Sequence, residues 1–133
     1  MPEASRSSTT SPLGRGEGWQ QRGSLWVLEP PRTSLRGLIE FIGGSYLAAT
    51  PQLSYRRLLE ALAVLGWRVH AWSYVPGFDH QSQATEAWRV FRAVREQEGW
   101  NAARPHQPRS RGGLTQLRLG HSLGCKLHLL APD

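Results

Sequence analysis

At 133 residues the chain is long enough for one domain with a modest core, and no apolar run approaches the roughly 20 residues a membrane-spanning helix needs. Apolar residues make up 39%, which suits a globular chain better than a disordered one. The formal net charge of +6 rests almost wholly on arginines spread along the chain, with Lys126 the one lysine, so the charge outlines no nucleic-acid-binding module.

Met1 to Gly23 is rich in Ser, Gly, Arg and Thr and has no periodicity, so residues 1–23 read as a disordered tail. Residues 24–133 form the expected domain. Ser24 to Leu28 is a short strand, ended by Pro30 and Pro31. Leu35 to Gly44 is a stronger one. Its near-continuous run Leu38, Ile39, Phe41, Ile42 predicts burial on both faces, as in a parallel sheet. From Thr50 to Trp67 the apolar residues Tyr55, Leu58, Leu59, Leu62 and Leu65 recur at helical spacing. Thr50 is the expected N-cap, Pro51 the first helical residue and Gly66 the stop. Arg68 to Phe78 is the next strand, broken at Pro76-Gly77. Asp79 to Trp100 is a second helix, with Ala84, Ala87, Trp88, Phe91 and Val94 as its apolar stripe. Asn101 to Gly113 is a polar linker, and His106 within it is expected to be exposed. Leu114 to Gly120 is a third strand, in which Gln116 and Arg118 fit poorly with burial on both faces. A third helix begins at Ser122.

This alternation predicts an α/β domain with a parallel sheet and right-handed crossovers. Where the last strand meets the last helix stands Gly120-His121-Ser122-Leu123-Gly124. A Gly-x-Ser-x-Gly motif between a strand and a helix has the form of a nucleophile elbow, a sharp turn that lifts a serine hydroxyl clear of the sheet. The two glycines leave room for neighbouring backbone, and the helix N-terminus favours negative charge beside the serine. Ser122 is then the candidate nucleophile, and the amide of Leu123 one oxyanion donor. A second donor is expected from the loop after the strand ending at Gly43-Gly44, from Gly44, Ser45 or Tyr46. That loop reads equally well as a plain glycine turn.

Asp79 and His80 follow a strand's C-terminal end, where α/β sheets place their sites, and are candidates to line a pocket; Asp79 is also a natural N-cap. His121 is expected to pack beside the serine and His70 within the core. Cys125 is lone, which excludes a disulfide framework, and reads as a small buried residue near a helix start rather than a reactive thiol. None of the motifs requires a cofactor or a metal.

The chain also resembles a known family. Gly43-Gly44, the helix start Pro51-Gln52-Leu53, Tyr74 to Gln81 ("YVPGFDHQ") and Gly120 to His128 ("GHSLGCKLH") are similar to domain-of-unknown-function family 1350 of photosynthetic bacteria and plastids, within the α/β-hydrolase superfamily. The resemblance covers about Pro31 to Leu130. It implies a partial α/β-hydrolase-like three-layer sandwich, truncated after the elbow helix, because the acid and histidine of a hydrolase triad follow the serine and only His128 and Asp133 do so here. A sheet cut there is expected to leave an apolar edge. Two readings follow. One is a serine hydrolase of ester or acyl type when complete; the other is a non-catalytic fold that binds a ligand or protein partner in the same cleft. Both expect a small-molecule ligand or a protein, not nucleic acid, and both place the chain in the bacterial cytoplasm or, alternatively, a plastid.

Overall fold

A computed structural model of the chain describes residues 18–31, 35–100 and 114–132. Five strands form one sheet: β1 (Trp19–Arg22), β2 (Leu25–Leu28), β3 (Gly37–Ile42), β4 (Trp67–Trp72) and β5 (Thr115–Gly120). The helices are α1 (Pro51–Ser54), α2 (Arg56–Val64), α3 (His80–Gln97) and α4 (Leu123–Leu130), with a 3-10 turn at Ser45–Leu47. Most of the expected tail and linker, His106 and Asp133 lie outside the described residues.

The spatial order is β1-β2-β4-β3-β5. The centre, β4-β3-β5, is parallel as expected. The sheet is mixed, however, because β1 pairs with β2 and β2 with β4 in antiparallel fashion. The first of these pairings comes from Trp19–Arg22, within the segment expected to be a tail. A two-residue turn at Gly23-Ser24, with Gly23 at φ 61°, folds this segment into a hairpin with β2. The sequence Trp-Gln-Gln-Arg hides the strand because only Trp19 is buried; its indole donates to Glu60 Oε2 at 3.2 Å.

β3 is buried along its whole length, which accounts for its apolar run. Its side chains alternate between two cores. Ile39 and Phe41 join Val69, Ala71, Leu28 and Trp19 against Leu59 and Ala63 of α2. Ile42 joins Leu25, Val27 and Trp72 against Ala84, Ala87, Phe91 and Val94 of α3 and Leu127 of α4. Helices therefore cover both sheet faces, as a three-layer α/β arrangement requires. Removing one such buried side chain, as in Leu59→Ala, costs roughly 2–5 kcal/mol.

The expected long helix is broken at Tyr55, whose φ −115° and ψ 20° separate α1 from α2. Thr50 stands at the N-cap without making a side-chain cap bond. Asp79 does cap α3, accepting from the amide of Ser82 at 3.0 Å. β5 lies at the sheet edge and is largely exposed, which removes the conflict that Gln116 and Arg118 posed. Cys125 is exposed rather than buried: α4 turns Gly124, Leu127 and His128 inward and Cys125, Lys126 and Leu129 outward. Among the described residues no helix is long and apolar enough to cross a membrane.

Candidate functional site

β5 ends at Gly120 and α4 starts at Leu123, so the chain reverses direction over His121 and Ser122. Ser122 carries the whole reversal at φ 56°, ψ −120°, and it is the one non-glycine residue at positive φ among those described. Such a conformation costs on the order of 1–3 kcal/mol and persists only where the surroundings enforce it. The glycines on either side are part of that enforcement. A Cβ on Gly120 would stand 2.7 Å from the amide nitrogen of Cys125. A Cβ on Gly124 would strike the carbonyl of Ile42, 2.5 Å from its carbon, and reach Gly43 O at 3.0 Å. Both obstacles are backbone, which cannot swing aside. The glycines thus let α4 start hard against the end of β3.

That close approach brings Ser122 to the loop after β3. A Cβ built on Gly44 would lie 3.2 Å from Ser122 Cβ and 3.3 Å from His121 Nδ1. Ser122, Leu123, His121, Gly44 and Ser45 are therefore gathered at one end of the parallel strands. Leu123 is the first residue of α4, so its amide has no acceptor within the helix. Ser45 opens the 3-10 turn, in the same situation, and is exposed. Gly44 differs from expectation. Its amide donates to the hydroxyl of Tyr55 at 2.9 Å, so it is already engaged and does not stand open as an oxyanion donor.

Two tyrosines hold this loop: Tyr55, expected in an apolar helical stripe, and Tyr74, expected in the Arg68–Phe78 strand. Tyr55 Oη accepts from Gly44 N and lies 2.8 Å from His121 Nδ1, while its ring meets Phe41 edge-on at 4.6 Å between centroids. Tyr74 Oη donates to Gly43 O at 2.7 Å in a buried bond. Burial, with a smaller contribution from nearby Tyr55, pushes the Tyr74 hydroxyl up to about 12, so it stays a donor. The available signal was the presence of tyrosine rather than phenylalanine or leucine at these inward positions, since a buried hydroxyl needs a partner.

The remaining histidines are committed elsewhere or stand apart. His128 Nε2 lies 3.0 Å from the carbonyl oxygen of Leu119, which can only accept, so the ring carries its proton on Nε2. Burial lowers its pKa to about 4 and keeps it neutral. His70 is fully buried and bonds Glu98 Oε1 at 3.0 Å. Glu98 also takes a bidentate contact from Arg68, at 2.8 and 2.7 Å, and an indole bond from Trp100. Burial alone would raise Glu98, but the hydrogen bonds from His70 and Arg68 outweigh it and hold the carboxyl at about 2. This group ties the end of α3 to β4 and is structural. Asp79 and His80 sit at the start of α3, and no hydrogen bond, ion pair or ring contact joins them to Ser122. Among the described residues Ser122 Oγ has no hydrogen-bond partner, and no group of three His, Cys, Asp or Glu side chains could hold a metal ion.

A family model described as "Protein of unknown function (DUF1350)" covers residues 18–132, beginning just before the β1 strand. No curated protein and no solved structure matches the chain.

Proposed function

The chain belongs to the DUF1350 family, and from that premise we propose that it is a serine hydrolase-like protein of ester or acyl type with Ser122 as nucleophile. The observation that carries the reading is the strained backbone of Ser122, held between a strand and a helix by two glycines that tolerate no Cβ. Strain of this kind at a hydroxyl-bearing residue is a reason to suspect a functional site. In the proposed reaction Ser122 Oγ attacks the ester carbonyl carbon and the π electrons move to the carbonyl oxygen. The amides of Leu123 and Ser45 receive that oxyanion at the α4 N-terminus. Collapse breaks the bond to the alcohol, which leaves with the serine proton, and water then hydrolyses the acyl-serine.

The proton must be carried by a general base. His128 and His70 are held in other bonds, and His121 Nδ1 is held by Tyr55. No described histidine bonds Ser122, so the reading requires a base that moves to Ser122, as His80 would have to, or that comes from outside the described residues.

A second reading is a ligand-binding fold without chemistry. The unpartnered Ser122 hydroxyl and the engaged Gly44 amide favour it. A fluorophosphonate probe separates the two. Catalytic competence predicts stoichiometric labelling at Ser122 that Ser122→Ala abolishes. A folded protein that takes up no probe would favour the binding fold.

A further inference from the structure

The loops around Ser122 share an unusual composition. Phe41 to Tyr55, Val69 to Phe78 and Leu119 to Cys125 contain no Asp, Glu, Lys or Arg, although such residues make up 20% of the chain. These are the segments that leave the C-terminal ends of the three parallel strands. They are linked to one another: Tyr74 N donates to Ala48 O at 3.2 Å, Ser73 Oγ to Ala49 O at 2.5 Å, and Gly44 abuts Ser122.

The same segments hold apolar side chains out into solvent. Tyr46 and Phe78 are the two exposed aromatics among the described residues, at 100% and 104% of full exposure. Leu47, Leu53 and Val75 are exposed beside them in the chain. The loops that present them are braced. Leu47 N bonds Gly44 O in the 3-10 turn. Gln83 clamps the Val75–Gly77 stretch from both ends, accepting from Gly77 N at 3.0 Å and donating to Val75 O at 2.7 Å. Exposed apolar side chains on braced loops beside a candidate site are a mark of a binding surface.

We infer that Tyr46 and Phe78, with Leu47, Leu53 and Val75, form the acyl-binding rim of the Ser122 site, and that its substrate is a neutral ester bearing a long alkyl chain. The inference rests on the hydrolase reading above. Segments without Lys or Arg give a phosphorylated or polyanionic substrate no counter-ion, whereas an alkyl chain gains with every methylene it buries.

Short-chain (ethyl) and long-chain (dodecyl) fluorophosphonates test it on the full chain by intact mass. In each, the Ser122 Oγ–phosphorus bond forms, the phosphorus–fluorine bond breaks and fluoride leaves with the serine proton. The expected result is labelling at least about tenfold faster with the long chain, a difference of about 1.4 kcal/mol. The double variant Tyr46→Ser/Phe78→Ser should bring the two rates together by slowing the long-chain reaction. Val64→Ser, an exposed apolar position on α2, should keep the preference. Equal labelling of the unaltered protein by both probes overturns the rim and leaves the serine reading standing. No labelling by either overturns both. If the double variant loses association with phosphatidylcholine vesicles but keeps its chain-length preference, the patch serves a membrane surface and the inference fails.

Discussion

The amide of Gly44 donates to the hydroxyl of Tyr55 at 2.9 Å, so a side chain from the break between two helices fixes the loop that faces Ser122. Tyr74 holds the adjoining carbonyl of Gly43 from the other side of the loop. The two bonds differ in burial, and the energetic consequence differs with it. Tyr55→Phe removes a partly buried bond and should destabilise by about 1 kcal/mol. Tyr74→Phe leaves a buried carbonyl unpaired and should cost more, within the range of about 1–3 kcal/mol. Urea denaturation midpoints at constant m-value measure both. A Tyr55→Phe loss equal to or larger than that of Tyr74→Phe would contradict this account of the loop.

The strain at Ser122 makes a prediction of unusual sign. Glycine adopts φ 56° without penalty, so Ser122→Gly should hold or raise stability by up to about 1 kcal/mol, after its extra unfolded-state entropy is set against the relieved strain. Ser122→Ala keeps a Cβ and with it the strain, and should leave stability near that of the unaltered chain. Both variants should abolish probe labelling. Differential scanning calorimetry decides it: a clear loss of stability in Ser122→Gly would mean the turn is not strained.

Gly124 and Gly77 form a matched pair. A Cβ at Gly124 strikes the Ile42 carbonyl, whereas at Gly77 it meets nothing nearer than Gln83 Nε2 at 3.9 Å. Gly124→Ala should therefore cost at least about 2–3 kcal/mol through forced backbone movement, and Gly77→Ala should stay within about 0.5 kcal/mol of the parent. Thermal unfolding of the two single variants tests the contrast, and similar melting points would refute it.

Stability should fall in mild acid. Burial holds His128 at about 4 in the folded chain against an ordinary value of 6.5. Between those values the unfolded chain binds a proton that the folded chain refuses, so the contribution is present above pH 6.5 and is lost as pH falls towards 4. The full loss is on the order of 3 kcal/mol. His70, also lowered by burial, acts in the same direction. Glu98, held at about 2 by His70 and Arg68 against its own burial, adds a further loss between 4.5 and 2. Buried Glu40, raised by desolvation, opposes these in acid. His128→Asn cannot gain the charge, so its melting temperature should fall less steeply between pH 6.5 and 4. An unchanged slope would show that His128 is not the titrating group.

The strand–turn–helix at Ser122 was legible in the residue order because its causes are local. A strand-like run, two glycines at fixed offsets and an apolar helix start all lie within a few residues of one another. The same holds for the buried centre of β3, whose unbroken apolar run requires cover on both faces, and for the Asp79 cap. What the residue order by itself determined is an α/β domain with a serine at the C-terminal end of its parallel strands.

The tertiary structure decided what depends on partners far along the chain. Trp19–Arg22 is a strand only because a hairpin sets it against β2, and its polar residues give no local sign of that. Gln116 and Arg118 are acceptable because β5 is an edge, a property of strand order and not of composition. Tyr55 reaches His121 across 66 positions of sequence, so no local pattern reports that its hydroxyl holds the Gly44 amide. Periodicity reveals which side of an element faces inward. It does not reveal which polar atom it meets there, because hydrogen-bond partners are assigned by packing between elements.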